Sequence, residues 1–500
     1  MALKGSATIE LTNADGSKEI IKHDNMITNA VNDLLKSQRG ELATIMKHMK
    51  NGESYAQALF GGILLFGETL NTDANKYFLP TTNIVGYASQ DAYGGLDVAR
   101  GSVNSSESGL QEDGSYKFVW DFATSQANGK ISAIALCPNV MGQIGASDSI
   151  VNSESKDLQE TNGVVAPFET NGRMLNSSGS TEGIANYNFF VMAVIGDIAY
   201  CIDKANVYYY NEYSNRYFKN NGNILKLYRF KLGSYNISIN NYCGMATYLD
   251  AIDVQLPSDF IDALYNYNSE YQLAFWFNSK DKKLIVFPCY KKNDIEVNGT
   301  TKYIEIELAN NNTVNTYTFT NNTGGKILYG GYNFDNYHGQ SYTMFICNDY
   351  IVNFSIVGSE NKMYVTKKSD NTLVKEVKYS DSKGFGFNST NTLYFAPVFC
   401  RDNILVFSYS TVNGNYYYYI LDMETGIIKK TNAQLLSNYG NCMVDIGEDS
   451  VFASTYTYMN YRLVMNPFVL TTKNNLDSPV TKTSSQTMKI TYTLKESEAV

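Results

Sequence analysis

From Ser6 to Thr12 the chain alternates, with Ala7, Ile9 and Leu11 on one side and Thr8, Glu10 and Thr12 on the other. A period of two predicts a half-buried strand. Asp15-Gly16 is a turn signal, and "EIIKHD" can return as the second strand of a hairpin. In "NMITNAVNDLLKS" the period changes. Ala30, Val31, Leu34 and Leu35 fall on one helical face, with Thr28 or Asn29 as N-cap. A second helical stretch, "GELATIMKHMKNGESYAQAL", begins at Gly40.

Strand-like patterning resumes at "FGGILLFGETL". In "SYKFVWDFATSQANGKISAIALCPN", Tyr116, Phe118, Trp120 and Phe122 alternate, as do Ile131, Ala133, Ala135 and Cys137. The intervening Ala127-Asn128-Gly129-Lys130 predicts a hairpin. Residues 145–185 are rich in Ser, Gly, Asn and Glu and read as a loop or linker. Beyond about residue 186, short Tyr/Phe/Ile/Val runs separated by Asn/Gly/Ser/Asp turns predict an all-β array.

Within that array one unit recurs: an apolar strand, a tight turn carrying Asp, and a second apolar strand. The turns centre on Asp197, Asp281, Asp349, Asp402 and Asp449. Each unit is followed by a further strand or strand pair, as in "KMYVTKKSDNTLVKEVKY" and "YYYYILDMETGIIKKT". The last two spacings approach the ~40–50 residues of a four-stranded propeller blade. The first two need insertions, and residues 242–266 read as one. Five units predict a β-propeller of about five blades, with a sixth, poorly matching blade or a β-sandwich as alternatives. The recurring Asp is explained by its carboxylate accepting from backbone N–H groups two residues on.

After "NNLDSP", Met488, Ile490, Tyr492 and Leu494 alternate with Lys489, Thr491 and Thr493. This strand belongs to no repeat and must find a partner. The N-terminal hairpin has the matching alternation, so the strand is expected to return there, or else to close an inter-subunit sheet. The expected fold is therefore mainly β: a small α+β N-terminal attachment domain with a β-sandwich-like part, then the propeller, then the returning strand. The expected boundaries are 1–50 for the hairpin and helices, 51–145 for a β-rich domain, and 146–185 for a linker. The propeller-like head takes 186–475 and the returning strand 476–500.

Composition narrows the function. Charged residues are 18% of the 500, and 40 are Tyr. Charge is below the ~25% of typical soluble domains, so Asn, Ser, Thr and Tyr supply much of the polar surface. A formal net charge of −9 argues against neutralising nucleic-acid phosphates or docking on an anionic membrane. No apolar run reaches the ~18 residues of a membrane span. The N-terminus lacks the apolar segment of a signal peptide. Seven scattered cysteines without a CxxC pair read as buried thiols of a chain made in a reducing cytosol.

Signals for catalysis are sparse. His23, His48 and His338 form no zinc-binding spacing, and neither a GxSxG elbow nor a P-loop occurs. No cofactor is expected. Asp259 and Asp262, at i and i+3, could share a helical face as a carboxylate pair; a solvated short helix is the stronger explanation for them. Tyr beside Asn, Ser and Gly is a recognition composition, offering rigid contact area with adaptable hydrogen bonds. It occurs in 207–223 and 329–342, which nominates Tyr209, Tyr213, Tyr217, Tyr332, Phe334 and Tyr337 as binding residues. Packing between blades is the competing role for these rings. The run Tyr416–Tyr419 reads as a blade strand.

"IELTNADGSKEIIKHDNMITNAVNDLL", "GGILLFGETL", "YKFVWDFATSQANGKISAIAL" and the ending "SSQTMKITYTL" together resemble the N-terminal modules and C-terminal strand of tail proteins. These belong to phages of Gram-positive bacteria and to related contractile bacteriocin particles. The resemblance covers roughly residues 5–140 and 480–495. It implies a virion tail component: a non-enzymatic tail fibre or receptor-binding protein, attached by its N-terminal part to other tail or baseplate proteins. Such proteins are commonly homotrimers, so a homotrimer is expected. The receptor would be a host cell-surface glycan or surface protein. The protein would be made in the bacterial cytoplasm, released by lysis and located in the virion tail. A tail-associated polysaccharide hydrolase and a structural baseplate protein without a receptor role are the alternatives.

Overall fold

The computed structural model describes residues 2–31, 54–144, 164–169, 189–203, 222–232, 246–265, 271–290, 298–327, 344–357, 360–379, 394–410, 416–431, 443–445, 450–455, 460–465 and 468–497. They form two units. One comprises 1–163, 429–435 and 465–500, and the other 164–428 and 436–464.

The first unit begins with the expected hairpin, β1 (Ala2–Thr12) and β2 (Lys18–Ile27), paired Thr12 to Lys18 through Gly5 to Asn25. Asp15 forms the turn, its carboxylate accepting from the Ser17 amide at 2.9 Å. Of the first helix only Ala30 and Val31 are described, and of the second only its end, α1 (Tyr55–Phe60). Ser54 and Gln57 close a capping box on α1. Strands β3 (Gly62–Phe66), β4 (Ile84–Ala88), β5 (Ser102–Val103), β6 (Gly109–Leu110), β7 (Tyr116–Phe122) and β8 (Gly129–Cys137) follow, then α2 (Asn139–Ile144).

The chain then enters the second unit, built from five separate sheets. Its first strand is β9 (Val164–Glu169). Blade 1 is β10 (Phe189–Ile195), β11 (Ile198–Asp203), β12 (Ile224–Leu232) and β13 (Ala246–Gln255); α3 (Ser258–Tyr265) follows. Blade 2 is β14 (Tyr271–Asn278), β15 (Lys283–Tyr290), β16 (Thr300–Glu307) and β17 (Thr313–Thr320). Blade 3 has β18 (Lys326–Ile327), β19 (Met344–Cys347), β20 (Tyr350–Val357), β21 (Glu360–Lys367) and β22 (Leu373–Glu376). Blade 4 has β23 (Lys378–Tyr379), β24 (Tyr394–Arg401), β25 (Ile404–Ser410), β26 (Tyr416–Asp422) and β27 (Ile427–Thr431). Blade 5 is β28 (Met443–Asp445), β29 (Ser450–Thr455) and β30 (Asn460–Met465), completed by β9.

These sheets form a ring. β10 packs beside β14, β14 beside β19, β24 beside β28, and β28 beside β10. The remaining seam, between β19 and β24, is spanned by a Cys347–Cys400 disulfide. The second unit is thus a five-bladed β-propeller. The first and last segments of this unit share blade 5, because β30 pairs with β9 from Asn460–Glu169 to Val464–Val164. Closing the ring within one hydrogen-bonded sheet resists opening between the first and last blades.

The chain then returns to the first unit as β31 (Thr472–Lys482) and β32 (Thr487–Ser497). β32 lies between β1 and β7, which produces three cross-strand rows: Ala7–Tyr492–Phe118, Ile9–Ile490–Trp120 and Leu11–Met488–Phe122. All nine side chains are buried, so the alternation of three distant segments makes one continuous apolar face. The order β4-β3-β8-β31-β2-β1-β32-β7-β5 is bent so that its ends meet. Tyr87 of β4 bridges to Arg100, just before β5. The Trp120 indole N–H also reaches across to the Ser89 carbonyl at 3.0 Å. Gly101 sits where the sheet closes; a Cβ there would lie 2.6 Å from the Phe122 ring.

Several expectations need correction. β7 and β8 are strands but do not pair as a hairpin; β7 pairs with β32, while β8 pairs with β31 and β3. Their alternation was legible, but β31 and β32 compete for the same edges. Residues 164–169, within the expected linker, form the strand that closes the ring. Within 242–266, expected as an insertion, lie the fourth strand of blade 1 and α3. The chain returns to the first unit with two strands, because Met26–Lys473 and Ile27–Thr472 also pair.

The thiol reading is corrected as well. Cys347 and Cys400 are disulfide-bonded, while Cys137 and Cys201 are free and buried. The bonded pair is 53 residues apart. Only the docking of neighbouring innermost strands brings the two together, and no local spacing signals that.

Candidate functional site

Each blade is built on an antiparallel meander, to which blade 4 adds β23 parallel to β27, so the connections of the meander alternate between two ends. At one end lie the turns between first and second strands and, in blades 2, 3 and 4, short turns between third and fourth strands. Four of the five recurring Asp residues fall there, in the described turns between first and second strands; Asp449 lies outside the described residues. The left-handed residue of these turns is Gly196 (φ 59°), Lys282 (φ 56°), Asn348 (φ 51°) and Asp402 (φ 52°). Gly and Asn tolerate that region at least cost.

In one of these turns another side chain takes the role expected of the Asp carboxylate. In the Asp281 turn it is Asn278 Oδ1 that accepts, from the Lys280 and Asp281 amides at 3.1 and 3.2 Å. The carboxylate-to-amide turn is found between third and fourth strands of blades 3 and 4. Asp370 accepts from the Thr372 amide at 2.9 Å, and Asp422 from the Glu424 amide at 2.9 Å. The recurring Asp marks the inner hairpin, and in blades 3 and 4 an Asx-turn holds the outer one.

The two segments nominated for binding leave from other positions. Residues 204–221 connect β11 to β12, and 328–343 interrupt the innermost strand of blade 3. The second position is defined by register: Ile327 faces Ser355 and Met344 faces Asn353 on the same neighbouring strand, β20. Sixteen residues therefore leave one side of that strand pair and rejoin it one step on. Tyr209, Tyr213, Tyr217, Tyr332, Phe334 and Tyr337 all belong to these two segments and lie outside the described residues.

The ground under the interruption is polar and buried. Ser355 and Asn353 are both fully buried. Thr323 Oγ1 and Ser355 Oγ are 2.7 Å apart, Asn353 Nδ2 donates to Ser355 Oγ at 3.4 Å, and Asn321 Nδ2 donates to the Gly325 carbonyl at 2.7 Å. This network fixes the strand on which the segment is mounted. Nothing in the sequence flagged it, because Asn, Ser and Thr are common throughout the chain.

Val194, Phe275, Phe277, Phe345, Ile346 and Phe399 on the innermost strands are buried. Asp445 ends the innermost strand of blade 5, and nothing is described of its side chain. The nominated Asp259 sits on α3, over half exposed, with Lys302 Nζ donating to it at 2.6 Å. That bond holds the Asp259 carboxyl below its ordinary range, the reverse of what a proton donor needs. Nothing is described of the Asp262 side chain.

Charge inside the propeller serves the blade seams. Glu305 on β16 is fully buried; Lys283 of its own blade donates to it at 3.2 Å, and Lys368 of blade 3 also donates to it. The Lys368 ammonium lies 5.3 Å from the centroid of the Tyr317 ring. In the strand Tyr416–Asp422, Tyr419 is buried and stacked on Phe407, with centroids 5.5 Å apart. At that position the tyrosine run is scaffold.

No family model and no curated protein matches the chain. Among solved structures it is similar to an exo-β-1,3-galactanase from Phanerochaete chrysosporium (10% identity, TM-score 0.28, 55% of this chain and 58% of that one). It is also similar to a Trypanosoma rangeli sialidase (10% identity, TM-score 0.26, 84% and 59%). A third similar structure is the Dos1 propeller (8% identity, TM-score 0.23, 77% and 85%). The aligned part spans less than two thirds of the galactanase and of the sialidase.

Proposed function

We propose that this chain is a receptor-binding or tail-fibre protein of a phage tail or phage-tail-like particle. Its barrel-like unit attaches to other tail or baseplate proteins, and its propeller contacts a glycan or protein of the host cell surface. The observation that carries the reading is the division of labour along the chain. Both ends of the chain are spent on one unit. The inserted propeller holds its Tyr/Asn-rich segments on rigid strands, one of them inside an innermost strand. A receptor-binding head needs that combination of a fixed scaffold and variable recognition segments.

The protein acts without catalysis in this reading. The pairing of Asp259 with Lys302 removes one carboxylate from consideration as a proton donor. Assembly as a homotrimer in the virion tail would multiply weak single-site binding.

The test is binding of fluorescently labelled full-length protein to a panel of Gram-positive cells, before and after enzymatic removal of surface glycans, with release of reducing ends followed in parallel. Saturable binding to some strains without reducing-end release is expected. Polysaccharide cleavage would favour a hydrolase, and absence of binding to every strain would favour a structural tail protein.

A further inference from the structure

We propose that Cys347 and Cys400 form a redox latch on the propeller ring: open as two thiols in a reducing compartment, closed as a disulfide once the protein meets an oxidant. The two residues lie on the innermost strands of blades 3 and 4, with Cα atoms 6.0 Å apart. That separation falls within the range a disulfide spans without moving the backbone. Among the described residues no other disulfide joins two blades.

The surroundings suit both redox states. Both cysteines belong to the apolar cluster that includes Phe345, Ile351, Leu405 and Phe407, where a thiol packs as a small hydrophobe. The ring can therefore assemble before the bond forms. Beside the bond the two turns are already joined, because Asn348 Nδ2 donates to the Asp402 carbonyl at 3.0 Å. Docking of blade 3 on blade 4 thus holds the sulfurs in register for oxidation.

The chemistry is thiol–disulfide exchange with a low-molecular-weight disulfide, RSSR. Cys400 retains 8% exposure while Cys347 has none, so the Cys400 thiolate attacks first. A Cys400–SR mixed disulfide forms and one RS⁻ leaves. The Cys347 thiolate then attacks Cys400 Sγ, the protein disulfide forms and the second RS⁻ leaves. Two protein thiols are oxidised, RSSR is reduced, and the two thiol protons end on two RSH. Cys137 and Cys201 stay out of the exchange: both are fully buried, and burial raises both thiols well above their ordinary value.

The latch matters for the inner strand of blade 3, which ends at Cys347 and carries the 328–343 segment. Closing it bonds that strand covalently to its neighbour and closes a loop of 53 residues, which restricts the unfolded chain.

The experiment compares full-length protein kept in dithiothreitol with protein equilibrated in oxidised glutathione. Peptide mapping after alkylation under native conditions should find Cys347 linked to Cys400 in the oxidised sample and both free in the reduced one. The oxidised form should melt about 5–10 °C higher. The double variant Cys347→Ala/Cys400→Ala should melt near the reduced protein and ignore the glutathione redox state. Free Cys347 and Cys400 in the oxidised sample would overturn the proposal. So would a melting temperature that does not change when the bond forms, or a double variant that still responds to redox.

Discussion

Ile9 lies directly opposite Ile490 in an antiparallel register that runs from Ala2–Ser497 to Thr12–Thr487. Both side chains are buried, and Trp120 occupies the next place in the same row. The ends of the chain therefore share one apolar face, and the propeller is an insertion between them. Ile490→Ala removes buried methylenes from the middle of this row. It should destabilise the barrel-like unit by about 2–5 kcal/mol. Chemical denaturation should resolve this as an earlier transition for that unit, with the propeller transition unchanged.

The ring closure gives a second prediction. β9 supplies the outer strand of blade 5, so a propeller fragment starting at residue 186 lacks it and exposes the β30 edge. Exposed edges pair with other chains. A fragment of residues 164–464 should be monodisperse and melt cooperatively. A fragment of residues 186–464 should aggregate or melt lower. Equal behaviour in light scattering and calorimetry would mean that β9 is dispensable.

These two strands mark how far the sequence could be read. β32 was legible because Met488, Ile490, Tyr492 and Leu494 alternate cleanly and one face is buried. β9 was not: "VVAPFE" is short, contains Pro167, and lies among Ser, Gly and Asn. Its strand character comes from the open edge of β30. The five inner hairpins were legible from the apolar–turn–apolar repeat. The pairing of β7 and β8 with β32 and β31 was not, because a strand pattern specifies a buried face and leaves the neighbour open. Of the site, the two aromatic segments could be picked out by composition. The mounting of 328–343 could not, since Ser355 and Asn353 are unexceptional residues until β20 aligns them at the interruption and Thr323 meets Ser355 from the turn before β18.

Glu305 yields a third prediction. It is fully buried, with Lys283 and Lys368 as partners, and Lys368 comes from the neighbouring blade. Removing the carboxylate charge leaves the Lys368 ammonium without its carboxylate partner and Lys283 with only Glu307, at 3.8 Å. Glu305→Gln should cost about 3–5 kcal/mol. Adding Lys368→Met should recover part of that loss. A double-mutant cycle with zero coupling would show that the contact across the seam contributes nothing.

Two buried lysines predict a pH dependence. Lys473 Nζ donates to the carbonyl oxygens of Asn71 and Asp73 at 2.9 and 2.8 Å, and also to that of Lys76. Lys482 donates to Asn128 Oδ1 at 2.8 Å. Burial holds both ammonium groups down to about 8, against an ordinary value of 10.5. Between those values the unfolded chain keeps protons that the folded chain has released. These lysines therefore make stability rise with pH across that window, and contribute no slope below pH 8, where both states are protonated. The Lys473→Met/Lys482→Met variant should have a flatter pH profile of unfolding free energy from pH 8 to 10. It should also lose about 1–3 kcal/mol for each acceptor stranded without a donor.

The most direct test of the proposed function is cell binding by full-length protein carrying Ser at Tyr209, Tyr213, Tyr217, Tyr332, Phe334 and Tyr337, alongside a control variant altered at the turns between first and second strands by Asp197→Ser and Asp349→Ser. Equilibrium binding to a permissive strain should fall at least tenfold for the aromatic variant, with its melting temperature preserved, and should stay at the wild-type level for the turn control. Unchanged binding by the aromatic variant, or equal loss in both variants, would contradict receptor recognition through these segments.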